Sequence, residues 1–122
     1  MRKRSHSRRS EQISEMVRQV VADALLRGDV RDPRVGFVTV TLVEVSRDLS
    51  HAKVLVSVRG ESPEKERSIE GLQHAAGFFR TLLTRALPTR TVPELTFELD
   101  RGMEHAARIN ALLSGLHQGD EA

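Results

Sequence analysis

The 122-residue sequence predicts an α+β domain of two layers, a three-stranded sheet covered by helices. Three observations carry that prediction. A proline turn at Asp32-Pro33 launches two runs rich in β-branched residues, helical periodicity precedes and follows them, and a third alternating segment runs from Leu95 to Leu99. A chain of this length builds one core near the usual domain size, whereas two would each be marginal.

The elements follow in order. Ile13, Met16, Val17, Val20, Val21, Ala24 and Leu25 recur at helical spacing, with Ser10 placed as N-cap and Gly28 as C-terminal stop. Pro33 then ends the helical region, because it lacks an N–H and restricts its predecessor. Phe37 to Val45 is strand by virtue of Val38, Thr39, Val40, Thr41, Val43 and Val45, whose branched side chains suit a pleated surface. The next strand alternates cleanly: Ala52, Val54, Val56 and Val58 point to the core, Lys53, Leu55, Ser57 and Arg59 away from it. Ser46 to His51 is a loop wider than a two-residue hairpin turn.

Gly60-Glu61-Ser62-Pro63 reads as a turn into a second helix, with Ser62 as cap, Pro63 in the first helical position, and Glu64 and Glu66 at the positive end of the dipole. The apolar pattern continues through Ile69, Leu72, Ala76, Phe79, Leu82 and Leu83 to Ala86. As one rod this would measure roughly 36 Å, against a radius of gyration of about 14 Å for the domain, so a bend is predicted at Gly77. Pro88 and Pro93 bracket a loop; Leu95, Phe97 and Leu99 form the third strand. Asp100 then caps a last helix with a seam of Met103, Ala106, Ile109, Leu113 and Leu116. The expected organisation is a disordered basic arm over residues 1–9, one domain over 10–116, and a frayed polar tail over 117–122.

Charge is concentrated rather than general. Of 19 Lys and Arg, five (Arg2, Lys3, Arg4, Arg8 and Arg9) precede the first acid, so the other 14 face 17 carboxylates and the remainder is net −3. Sixteen of the 19 are arginine, which favours bidentate phosphate contacts, and codon usage in a GC-rich genome would produce the same excess. With no Trp or Tyr and four Phe, few rings are available to stack bases, so nucleic-acid recognition would lean on phosphates and shape. The absence of Cys removes disulfides, thiol nucleophiles and Cys-based metal sites, and fits a reducing cytoplasm. No run approaches the ~20 apolar residues of a membrane span. The opening residues are rich in Arg and Ser like a transit peptide, but no apolar residue lies between Met1 and Ile13 to form a membrane-facing stripe.

Catalytic motifs are missing. The glycines form neither GxGxxG nor GxxxxGK[ST], and His6, His51, His74, His105 and His117 show no metal-ligand spacing. Asp32 and Asp48 flank one strand, roughly 30 Å apart, too far for paired-carboxylate chemistry; turn geometry explains both. No metal or cofactor is expected. The Gly77 corner is the one internal site candidate: a helix starting there presents free N–H groups, flanked by His74 and Arg80. The competing reading is that Gly77 relieves crowding between two helices. Arg80 and Arg85 lie about 140° apart around the helix and form no single stripe. Lys53 on the outer sheet face and Arg90 in the proline-bracketed loop complete the candidate RNA contacts.

The segments Asp32-Pro33-Arg34, Val38-Thr39-Val40, Ser46-Arg47-Asp48-Leu49, Ala52-Lys53-Val54, Gly77-Phe78-Phe79-Arg80 and Val92-Pro93-Glu94-Leu95-Thr96-Phe97 with Asp100 occur in an order that resembles the ribosome-binding factor A family. The resemblance covers about residues 10–115. It implies a type II KH-like fold in which an Ala-x-Gly kink, here Ala75, Ala76 and Gly77, replaces the GxxG loop that clamps RNA in KH domains. It also implies a non-enzymatic, cytoplasmic assembly factor that binds free 30S subunits and 16S rRNA near its 5′-terminal helix, aids late maturation and rRNA processing, and is monomeric when free. Two readings from other classes are a small RNA-processing enzyme and a ribosome hibernation factor.

Overall fold

The computed structural model describes residues 8–102 and 109–115. Its order is α1 (Arg8–Arg27), β1 (Val38–Val45), β2 (His51–Val58), α2 (Ser62–His74), α3 (Ala76–Ala86) and β3 (Glu94–Leu99). Strand β2 is central, antiparallel to β1 and parallel to β3. The α-β-β-α-α-β order and the α+β class match the sequence reading.

Helix α1 buries Ile13, Val17, Val21 and Ala24, the face its periodicity assigned. Its start differs: Arg8 and Arg9 are helical, and Ser10 is buried inside the first turn rather than capping it. Arginine is a good helix former, so the helix runs past the serine. Ser10 instead accepts a hydrogen bond from the Ser14 hydroxyl at its carbonyl, 2.8 Å, and Ser14 Oγ in turn accepts the Val45 N–H at 3.1 Å, fastening α1 to the end of β1. At the other end Gly28 has φ +74°; its N–H donates to Leu25 O and that of Asp29 to Ala24 O, the paired bonds of a Schellman stop.

On β2, Ala52, Val54, Val56 and Val58 are all buried, as the alternation requires. Strand β1 changes phase. Val38 and Val40 pack toward the helices in its first half, Val43 and Val45 in its second, because the register shifts at Thr41. That bulge absorbs one residue and keeps the apolar set on one face. The Thr41 hydroxyl lies 3.1 Å from the Leu55 carbonyl and 2.7 Å from the Asp100 carboxylate. Asp100 also accepts the Gly102 N–H at 3.1 Å, the capping role predicted for it.

Two predicted details are corrected. Glu61, not Ser62, caps α2: its N–H donates to the Glu64 carboxylate at 2.7 Å, a capping-box bond that sets the helix one residue earlier. The bend falls at Ala75, with φ −86° and ψ 7°, so α3 begins before Gly77. Beyond β3, residues 101–102 and 109–115 are helical. Of the expected seam, Ile109 and Leu113 are exposed, since periodicity assigns an apolar face without supplying a cover. Met103, Ala106, Leu116 and the 117–122 tail lie outside the described residues.

Helices α1, α2 and α3 pack on one sheet face. Phe79 and Leu83 of α3 and Leu72 of α2 are fully buried with Phe97 of β3, and the Phe79 and Phe97 rings stand 5.4 Å apart. The Gln73 side chain donates to Leu95 O and accepts from Phe97 N–H, both at 3.0 Å, pairing the outer edge of β3.

Candidate RNA-binding surface

The corner between α2 and α3 is a tight two-helix junction. The Ala75 N–H donates to both Gly71 O and Leu72 O at 3.0 Å, closing α2, while Ala75 O accepts the Phe79 N–H at 3.2 Å, opening α3. A helix start carries N–H groups without intrahelical acceptors and the positive end of the dipole. Gly77 sits there, exposed, and a Cβ added to it would meet nothing within 4 Å. Crowding therefore does not require this glycine. The crowded glycine is Gly71, where a Cβ would stand 2.7 Å from Val35 Cγ2 and 3.3 Å from Asp32 Cγ.

That contact places the Asp-Pro-Arg turn beside the corner. Arg34 holds Asp32 through bonds of 2.7 and 3.0 Å from the guanidinium and 2.9 Å from the backbone N–H. These bonds keep the Asp32 carboxyl well below the usual carboxylate range, with nearby His74 adding a small pull in the same direction. Arg34 is thus neutralised by its own turn. In the β1–β2 loop, the Ser50 and Ser46 hydroxyls and the Ser50 N–H hold Asp48 down to about 2. Both aspartates do the turn chemistry predicted for them.

His74, Arg80, Arg85 and Arg90 are exposed, and none of these arginines meets a carboxylate within ion-pair distance among the described residues. From Gly71 to Pro93 the chain contains no Asp or Glu. This acid-free run is the signal that marks the surface; it is present in the sequence and is stronger than the spacing of any two arginines. Arg8 and Arg9 are also exposed, on the first turn of α1, where cations oppose the helix dipole. Arg2, Lys3 and Arg4 lie outside the described residues. Lys53 does not join the corner. It stands on the uncovered sheet face, paired across strands with Glu44 and Thr96 and sharing that face with Glu94 and Glu98, an acidic setting for a phosphate contact.

Among the described residues no group of three or more His, Cys, Asp or Glu could hold a metal ion, and no helix is long and apolar enough to cross a membrane.

Comparison with known proteins matches residues 9–113 to the sequence model of the family described as ribosome-binding factor A. The chain belongs to that family. Ribosome-binding factor A of Thermomicrobium roseum is 48% identical over 112 residues, 92% of this chain and 86% of that protein. That of Halothermothrix orenii is 42% identical over 114 residues, 93% of each. The crystal structure of ribosome-binding factor A from Thermus thermophilus superposes with a TM-score of 0.64 at 25% identity, covering 75% of this chain and 97% of that one. A Thermus thermophilus ribosome-binding factor A model fitted into a cryo-electron microscopy map of a 30S complex gives 0.56 at 26% identity, covering 76% and 92%. The Ala75-Ala76-Gly77 kink expected of ribosome-binding factor A falls on the α2–α3 corner, with Ala75 rather than Gly77 taking the bend.

Proposed function

We propose that this chain is a non-enzymatic assembly factor that binds free 30S subunits in the cytoplasm, as a monomer, and assists late maturation and 16S rRNA processing near the 5′-terminal helix. The observation that carries the reading is membership of ribosome-binding factor A, a relative of which was fitted into a map of a 30S complex. The charge layout supports a phosphate contact. The helical hairpin, whose own run from Gly71 to Pro93 carries no acid, offers His74, Gly77, Arg80, Arg85 and Arg90, with Asp32 beside it already held by Arg34, while Arg8 and Arg9 add to the basic run of Arg2, Lys3 and Arg4. Lys53 is left out of this surface because of its acidic neighbours.

Sedimentation of lysate tests the assignment: the protein travels with free small subunits, whereas a hibernation factor would travel with assembled ribosomes or their dimers. Incubation with precursor rRNA and magnesium leaves the RNA intact; cleavage by the purified protein would make it an enzyme. Because α1 begins at Arg8, the arm is better tested by Arg8→Gln with Arg9→Gln than by deletion. Each lost phosphate contact lowers the slope of log K against log salt by ~0.7 to 0.9.

A further inference from the structure

A second feature lies away from the corner, where the C-terminal half of α1 meets the start of β1. Phe37 is 65% exposed there, in a chain with four aromatic residues, two of which are buried. It faces Arg59 across the strands: the Arg59 N–H donates to Phe37 O at 3.1 Å, and the guanidinium carbon stands 4.8 Å from the ring centroid. The ring forms one wall of a groove of about 600 Å3 whose lining includes Leu25, Leu26, Val30, Val35 and Val38. Leu26 is 88% exposed. Neither Arg59 nor exposed Arg31, beside Val30, pairs with a carboxylate among the described residues.

We propose that this groove takes one unpaired nucleobase of the RNA, stacked against Phe37, with the adjoining phosphodiester held by Arg59. The inference rests on the rRNA-binding reading above. An apolar floor with an aromatic wall suits a base, which presents a π-face whatever its identity, and a guanidinium lying over the ring supplies both a planar partner and a cation for the phosphate. A polyanion matches Arg59, which lies over the ring and meets no carboxylate among the described residues, while Arg18 in the lining is already paired with Glu15; an apolar protein segment would leave Arg59 without a partner.

The test uses the full chain and hexa-adenylate RNA. With no Trp or Tyr, the aromatic proton spectrum contains four phenylalanines and histidine, so each ring can be followed. On titration the Phe37 ring protons shift upfield while those of buried Phe79 and Phe97 stay in place. Phe37→Leu, which keeps apolar bulk and removes the ring, weakens hexa-adenylate binding about tenfold, as loss of one stacked base does. Arg59→Gln lowers the salt slope by ~0.7, and serves alone should Phe37→Leu fail to fold. Unmoved Phe37 signals, or movement of Phe78 instead, would overturn the proposal. So would wild-type affinity in Phe37→Leu. If Phe37→Leu loses small-subunit binding while hexa-adenylate leaves the ring unmoved, the groove holds a ribosomal protein and the base site is refuted. Small-subunit pelleting of the wild-type chain separates the two readings: pelleting without a Phe37 response removes the groove alone, and no pelleting removes the assembly-factor reading.

Discussion

Replacing Gly77 by glutamate should raise the stability of the protein while lowering its affinity for the small subunit. A Cβ at this position meets nothing within 4 Å, so the side chain enters open space. Exchanging glycine for an ordinary residue inside a helix gains about 0.5 to 1 kcal/mol. The first turn of α3 contains no acid, so the new carboxylate adds about 0.3 to 1 kcal/mol by facing the positive end of the dipole. Together they amount to about 0.8 to 2 kcal/mol, a rise in Tm of roughly 3 to 8 °C for a domain of this size. Binding moves the other way. If the corner faces RNA as proposed, the carboxylate would oppose its phosphates with like charge one turn from Arg80, and affinity for small subunits should fall about tenfold or more. Thermal unfolding followed by circular dichroism and subunit pelleting read the two effects on the same preparation. A lowered Tm would refute the open-space argument and restore a packing role for the glycine; unchanged pelleting would take the corner off the interface.

Gly71→Ala should do the reverse, losing about 1 to 3 kcal/mol in denaturant unfolding because its Cβ would press on Val35 Cγ2 at 2.7 Å. The depressed carboxyls of Asp32 and Asp48 set an acid limit: the stabilisation from each is fully present above an unfolded value near 4, that from Asp48 is lost as pH falls through about 2, and that from Asp32, which is depressed further, is lost at still lower pH. Denaturant unfolding between pH 4 and pH 2 should therefore be less pH-dependent in Asp48→Asn than in the parent, and equal slopes would contradict the hydrogen-bond origin of the shift.

Much of this fold is legible from local pattern. The core face of β2 alternates without interruption, and the helical seam of α1 repeats at the spacing its burial confirms, because both depend on neighbours within a few residues. Strand β1 is harder to phase. Its bulge sits at Thr41, whose hydroxyl is held by Asp100 from the far end of the domain, and no local spacing reports such a partner. The two glycines of the helical hairpin illustrate the same limit. Gly77 lies at the corner yet is sterically free, while Gly71, inside α2, is the one pressed by the Asp32-Pro33-Arg34 turn. At the candidate surface, the acid-free run from Gly71 to Pro93 can be read from composition alone. The acidic company of Lys53 cannot, since Glu44, Glu94 and Glu98 reach that face only through strand pairing. Nor does the sequence report the exposure of Phe37, because at the start of a strand exposure depends on what the fold lays over the residue.

The Gln73 amide bonded to Leu95 O and Phe97 N–H has a mechanical meaning. Gln73 lies one residue before His74 and two before the bend, so any ligand that pries the helical hairpin away from the sheet must first break this two-pronged clasp and bare a strand edge open to pairing with other chains. The hairpin is thereby braced as a stiff finger. It would meet any ligand at the corner as a preset shape and offer it no accommodating movement.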